Sequence, residues 1–137
     1  MKIITNFLAA ALLVMLLTVA ASGEEAGKVF ATVDQDGVQR VEIVGGSYFF
    51  KPSEIVVKKG LPVELIVRKE AGIAPHDIVL HAPAAGIDFQ VGLSAEPQLI
   101  RFTPLKSGSY PFYCSKKLLF FKSHRDHGMA GVLEVRD

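Results

Sequence analysis

Hydrophobic and polar residues alternate with a period of two along much of the chain, most clearly in Val63-Glu64-Leu65-Ile66-Val67-Arg68. Such alternation is typical of half-buried β-strands. Further extended segments are predicted at residues 41–44, 54–58, 77–80, 99–103, 110–114 and 131–135. Gly and Pro separate these segments, and no helical pattern of about ten residues or more is found. The pattern therefore predicts an all-β sandwich.

The pattern is weaker in two places. Residues 84–97 have little periodicity, which is compatible with one helical turn. Residues 24–40 are mostly polar with a turn at Asp36-Gly37, and within them 29–33 predict a short edge strand. The aromatic residues expected in the core are Tyr48, Phe49, Phe50, Phe102 and Phe112.

The N-terminus predicts a secretory signal peptide. Lys2 precedes an apolar run from Phe7 to Leu17, and small residues follow as far as Gly23. This order of basic, apolar and small residues is that of a cleaved signal, and the run is short for a bilayer span, which needs about 20 apolar residues. We expect cleavage after Ala21 or Gly23, with an uncleaved anchor as the alternative. The predicted organisation is a signal peptide at 1–23, an N-terminal extension or edge strand at 24–40 and a folded domain at 41–137, in the periplasm or secreted, with no membrane span after cleavage.

The net charge and the number of cysteines limit the classes of function that the chain can have. The chain has 15 basic and 14 acidic residues, and loss of Lys2 with the signal leaves the two signs balanced. Nucleic-acid binding needs an excess of Lys and Arg and is not expected. A lone cysteine cannot form an internal disulfide after export. Cys114 must therefore be buried and inert, paired between chains, or held by something other than sulfur.

Soft metal ligands are concentrated in one segment. Cys114, His124, His127 and Met129 all lie between the extended segments 110–114 and 131–135. Thiolate, imidazole and thioether together suit copper, and two His with one Cys and a weak axial Met describe a blue-copper electron-transfer site. His76, at the start of the segment 77–80, is the natural remaining ligand, because a distant strand would hold it rigidly.

The other histidines are weaker candidates. His127 is an alternative to His124, or an additional ligand, although only Gly128 separates it from Met129, which leaves little room for His127 and Met129 both to bind. His81 follows His76 at an odd separation, which turns the two side chains to opposite faces of a strand. His81 is therefore expected at the surface.

Three segments resemble the cupredoxin family, the small blue-copper proteins of the plastocyanin and azurin type. Pro52–Gly60 is similar to the family's early strand pair, and Pro75–Val79 to its first ligand segment. Gly108–Cys114, continued through His124 and Met129 to residues 131–135, is similar to its ligand loop and last strand. The resemblance implies a Greek-key β-sandwich and one copper ion cycling between Cu(I) and Cu(II). His76, Cys114 and His124 would be its equatorial ligands and Met129 its axial ligand.

The chain departs from the family pattern at two points. Nine residues separate Cys114 from His124, where a shorter spacing is usual. Asp77 stands where many members have Asn, and a carboxylate near the thiolate would favour the oxidised metal. The extra residues, Lys116–Lys122, contain Leu118-Leu119-Phe120-Phe121. These four either fold back over the core or form an exposed docking patch, ringed by lysines that steer an acidic redox protein.

These observations predict an exported mononuclear copper protein that carries single electrons between redox protein partners and is not an enzyme. A periplasmic copper storage or delivery protein is one alternative. A catalytic copper protein with an open coordination position is another. A metal-free binding module would leave the Cys, His and Met cluster unexplained.

Overall fold

The computed structural model describes residues 27–137, and almost all of their regular structure is β. The strands are β1 (Lys28–Phe30), β2 (Thr32–Val33), β3 (Gln39–Gly46), β4 (Phe49–Lys51), β5 (Glu54–Lys58), β6 (Val63–Lys69), β7 (Asp77–Ala82), β8 (Ile87–Gly92), β9 (Gln98–Phe102), β10 (Gly108–Tyr113) and β11 (Ala130–Arg136). A 3₁₀ turn at Pro83–Ala85 separates β7 from β8. The predicted all-β class is confirmed.

The strands form two mixed sheets. One has the order β1-β5-β11-β10-β7-β8, and the other has the order β2-β3-β6-β9 with β4 beside β3. The pairs β1/β5, β5/β11 and β3/β6 are parallel, and the other described pairs are antiparallel. Parallel neighbours cannot be joined by a tight hairpin. The chain therefore crosses between the sheets, as in a Greek-key sandwich.

The core lies between the two sheets, where the apolar positions of the alternating strands meet. Val63, Leu65 and Val67 of β6 are buried, and they share one cluster with Ile55 of β5 and Leu133 of β11 from the opposite sheet. Full burial of such side chains contributes about 1.5–3 kcal/mol each. The period-two pattern in the sequence thus corresponds to the inner faces of the sandwich.

Two local expectations differ from the structure. Residues 84–97 contain the strand β8 in addition to a 3₁₀ turn, and the missed signal is the alternation of Ile87, Phe89 and Val91. The single edge strand expected at 29–33 is two strands, because β1 pairs with β5 and β2 pairs with β3 of the other sheet. The chain thereby supplies an edge strand to each sheet.

The predicted signal peptide lies outside the described residues. Among residues 27–137, no helix is long and apolar enough to cross a bilayer.

Strand register brings the candidate ligands to one end of the sandwich. β10 runs antiparallel to β7 with Tyr113 opposite Val79, so the end of β10 lies beside the start of β7. β11 begins with Ala130 opposite Tyr113. Cys114, just after β10, therefore lies near both His76, just before β7, and Met129, just before β11.

Candidate metal centre

His76, Cys114 and His124 converge on a common point in the buried end of the sandwich. The Cys114 sulfur lies 3.9 Å from Nδ1 of His76 and 3.5 Å from Nδ1 of His124. The two Nδ1 atoms are 3.1 Å apart. All three residues are buried, and one ligand atom from each lies within 4.8 Å of the others. These are the three residues that the sequence predicts as the main metal ligands.

The loop between β10 and β11 is fixed by its own backbone. The Cys114 N–H donates to the Met129 carbonyl at 3.1 Å, and the Met129 N–H donates to the His124 carbonyl at 3.0 Å. The His124 N–H donates in turn to the carbonyl of Lys116 at 2.9 Å. These bonds set the positions of Cys114, His124 and Met129 relative to one another.

Met129 is fully buried beside the cluster. A Cβ atom on Gly45 would lie 3.3 Å from the Met129 Cε atom, which places the thioether end against the end of β3. Any larger residue at Gly45 would press on Met129 and on Leu93. The absence of a side chain at Gly45 thus leaves room for the methionine.

Asp77 connects the strand that follows His76 to the residue that follows Cys114. Its carboxylate accepts hydrogen bonds from the Ser115 N–H at 2.6 Å and from the Ser115 hydroxyl at 2.5 Å. A third comes from Gln90 at 3.2 Å. Burial acts to raise the pKa of Asp77, but the hydrogen bonds from Ser115 and Gln90 outweigh it and hold the pKa below its usual value. Asp77 is therefore a buried, hydrogen-bonded carboxylate.

The protonation of the cluster follows from its burial. Burial raises the pKa of the Cys114 thiol, and the nearby Asp77 carboxylate also acts to raise it. Burial and the neighbouring His124 lower the pKa of His76, so its imidazole is neutral at pH 7. Neutral imidazole is the metal-binding form, and a bound metal deprotonates a coordinating thiol outright.

The donor set and its spacing fit one copper ion. Nitrogen donors at ~2.0 Å and a sulfur donor at ~2.3 Å from a shared ion lie roughly 3.1–3.9 Å apart at ordinary coordination angles, as the three measured separations do. Among the described residues, His76, Cys114 and His124 are the group of His, Cys and carboxylate side chains close enough to hold a metal. Two imidazoles, a thiolate and a nearby thioether suit copper better than the oxygen-preferring metals.

His127 lies outside this cluster. It is exposed, and its ring stacks on Tyr48 with centroids 4.5 Å apart and planes 30° apart. Tyr48 also presents its ring to His124, with centroids 5.4 Å apart and planes 78° apart. His81 is exposed, as predicted, and pairs with Asp88.

The expectation that Tyr48 belongs to the core is wrong. Tyr48 is exposed and has a φ of 63°, in the left-handed region that non-glycine residues seldom adopt. Gly45 and Gly46 precede this turn, but the left-handed position itself carries a tyrosine, so the sequence did not signal its conformation. Tyr48 instead covers the outer side of His124.

A groove of about 540 Å³ opens beside the cluster. Its lining includes both His124 and His127, with apolar and basic side chains of three loops: Tyr48, Ile73, Ala74, Pro75, Lys117, Leu118, Phe121 and Lys122. Leu118–Phe121 are exposed, so the interpretation that they fold back over the core is wrong.

Comparisons with known proteins identify the fold. No protein-family model and no curated protein sequence matches the chain. Among solved structures, the metal-binding domain of the Cu(I)-exporting P-type ATPase CopA of Streptococcus pneumoniae D39 matches with a TM-score of 0.62 and 20% identity, over 82% of this chain and 98% of that one. The reduced auracyanin of Roseiflexus castenholzii matches with a TM-score of 0.56 and 20% identity, over 78% of this chain and 99% of that one. Auracyanin A of Chloroflexus aurantiacus, a "blue" copper protein, matches with a TM-score of 0.53 and 20% identity, over 73% and 100%. The chain has the cupredoxin fold.

Within this cupredoxin fold, the long spacing between Cys114 and His124 does not keep the two side chains apart. The His124 N–H donates a hydrogen bond to the Lys116 carbonyl, and this bond closes residues 117–123 into a loop of their own. His124 therefore lies beside Cys114, with its Nδ1 atom 3.5 Å from the Cys114 sulfur. The insertion changes the surface next to the cluster and leaves the cluster assembled.

Proposed function

We propose that this protein is an exported copper protein that carries single electrons between redox partners. The observation that carries the proposal is the convergence of the buried Cys114 sulfur with the Nδ1 atoms of His76 and His124. A set of two imidazoles and one thiolate suits copper, and the adjacent buried Met129 would supply a further, weak thioether donor.

In this proposal each side chain has a distinct task. His76 and His124 would hold the ion through Nδ1, and Cys114 would hold it through its deprotonated sulfur. Met129 would offer a weak thioether donor, which adjusts the relative stability of the two oxidation states. Copper, when bound, supplies a one-electron couple. Burial of the three main ligands excludes water from the site.

Electron exchange is assigned to the groove beside His124. Of the proposed ligands, only His124 lines this groove, and its Nδ1 faces Cys114, so the outer edge of the ring is the short route to a partner. Redox proteins of the compartment to which the chain is exported would approach the exposed edge of His124 through this groove. Such a role needs no substrate pocket and no general base, and makes the protein an electron carrier rather than an enzyme.

The test combines copper analysis with redox titration. The purified protein is expected to hold about one copper per chain and to show a reversible one-electron couple. Cys114→Ser is expected to lose the couple, while His81→Ala, a matched change at an exposed histidine, keeps it. Equal copper content and equal redox behaviour in the parent and in Cys114→Ser would contradict the proposal.

Copper storage or delivery is the second candidate. It is favoured by the similarity to the metal-binding domain of a Cu(I)-exporting ATPase and to a copper-binding protein solved in its apo form, which matches with a TM-score of 0.58 and 22% identity. Competition with a Cu(I) chelator separates the two functions. A delivery protein would release Cu(I) readily and exchange electrons slowly, whereas a carrier retains the ion in both oxidation states.

A further inference from the structure

The insertion between the candidate ligands ends in an exposed apolar tip, which consists of Leu118, Leu119, Phe120 and Phe121. Their exposed fractions are 64%, 75%, 86% and 55%. The fraction is greatest at Phe120 and falls on both sides, so Phe120 is the apex. Four consecutive exposed apolar side chains form a contiguous patch, and such patches mark interaction surfaces.

The tip is a closed turn that packs on itself. The Phe121 N–H donates to the Leu118 carbonyl at 3.0 Å, and the rings of Phe120 and Phe121 stack with centroids 5.0 Å apart. Leu119 adopts a φ of 48° to make the turn. The four side chains are thus carried outwards by a turn that is closed by one backbone hydrogen bond.

Positive charge surrounds the base of the tip. Lys117 precedes it and Lys122 follows it, and neither makes an ion pair within residues 27–137. Lys116 is 4.0 Å from the Asp77 carboxylate. Ile73, fully exposed on the neighbouring loop, lines the same groove as Leu118 and adds to the apolar surface.

We propose that the apolar tip inserts into the interface of an anionic lipid bilayer, with Lys117 and Lys122 at the level of the lipid phosphates. A projecting apolar apex with a cationic base matches the layered chemistry of such a bilayer, in which hydrocarbon lies beneath negative headgroups. A protein interface is the less suitable occupant, because its contact region is enriched in Arg and depleted in Lys. The contact requires no metal, so it stands independently of the proposed copper chemistry.

Membrane contact through the tip would orient the cluster. Leu118 and Phe121 share the groove with His124. Insertion therefore turns the groove towards the lipid surface, where a membrane-bound redox partner would meet it.

A tryptophan at the apex tests this proposal directly. The chain has no tryptophan, so Phe120→Trp places a single reporter on the tip. With metal-free protein and vesicles of equimolar phosphatidylglycerol and phosphatidylcholine, we expect a blue shift of its emission and quenching by brominated lipid tails. Because the readout is local, it does not depend on the apolar N-terminal segment.

The matched control is Leu105→Trp. Leu105 is also exposed, but it follows β9 at the end of the sandwich opposite the cluster, and its N–H donates to the Ala85 carbonyl. The emission of Leu105→Trp should not change when the same vesicles are added. An equal shift at both positions would mean non-specific adsorption and would overturn the proposal.

The lysines are tested in the Phe120→Trp protein. Lys117→Glu with Lys122→Glu should raise the lipid concentration needed for half-maximal shift by about 25-fold or more, since each basic residue near an anionic surface contributes about fivefold. High salt should have a similar effect. No shift with anionic vesicles would overturn the proposal and favour protein docking. A shift of the same size with phosphatidylcholine alone would overturn the role of the lysines.

Discussion

Asp77 and Ser115 form two hydrogen bonds with each other, from the Ser115 N–H at 2.6 Å and from its hydroxyl at 2.5 Å. Asp77 follows His76 and Ser115 follows Cys114, so the pair ties together the two chain segments that supply these candidate ligands. The Asp77 carboxylate is buried. Many members of the cupredoxin family, which the sequence resembles, have asparagine at the corresponding position. The pair therefore fixes the positions of the segments that carry His76 and Cys114, and it places a negative charge close to them.

Asp77→Asn is expected to raise the reduction potential of the copper-loaded protein. Asn keeps an oxygen that accepts from the Ser115 N–H, but it removes a charge that stabilises the more positive oxidation state. A unit charge close to the cluster is worth about 1–4 kcal/mol, which for one electron is roughly 40–170 mV. Protein-film voltammetry measures the change. Asp88→Asn, at an exposed carboxylate, is the control and should leave the potential within the error of measurement. A potential that falls in Asp77→Asn would show that the charge does not act in this way.

The two histidines of the loop should respond differently to substitution. His124→Ala removes an Nδ1 atom that lies 3.5 Å from the Cys114 sulfur, and is expected to abolish the thiolate-to-copper absorption. His127→Ala removes an exposed ring stacked on Tyr48, and is expected to shift the absorption only slightly. Visible spectra of both copper-loaded variants show which histidine is the ligand. Loss of the absorption in His127→Ala, with only a slight shift in His124→Ala, would assign the ligand role to His127.

Met129→Leu is expected to retain copper and to raise the reduction potential. Leucine fills a similar volume in the buried site, so the fold should tolerate the change at a cost below about 1.5 kcal/mol. Loss of a weak donor disfavours the more positive ion. Copper analysis and voltammetry test the two parts separately. Loss of the metal, or an unchanged potential, would exclude Met129 as the axial ligand.

Gly131→Ala should destabilise the fold. A Cβ atom at Gly131 would overlap the Phe112 ring and the backbone oxygen of Ser53. Such overpacking costs about 1–3 kcal/mol. Gly92→Ala is the matched control, because a Cβ atom there meets nothing within 4 Å. Urea unfolding of the two metal-free variants should show a lower midpoint for Gly131→Ala alone, and equal midpoints would refute the packing argument.

The sequence predicted what depends on local pattern and residue chemistry. Alternation located most of the strands, and the residue types of His76, Cys114 and His124 selected the three side chains that meet in the structure. Their meeting depends on register, because β7 and β10 pair only at Tyr113 and Val79. No local pattern specifies such a long-range contact, and here the resemblance to a known family supplied it.

The surface around the cluster was predicted less well, for physical reasons. Apolar composition left Leu118–Phe121 either buried or exposed and favoured a buried position for Tyr48, and both are exposed. In each case the backbone conformation decides the outcome, through a positive φ at Leu119 and at Tyr48. Non-glycine residues adopt such angles only where surrounding contacts hold them, and those contacts cannot be read from the sequence.

The visible absorption spectrum of the copper-loaded, oxidised protein tests the central claim most directly. Coordination by Cys114, His76 and His124 predicts an intense thiolate-to-copper band in the parent protein and its absence in Cys114→Ser. A parent protein that binds copper without such a band, or a band that survives in Cys114→Ser, would contradict the proposed blue-copper site.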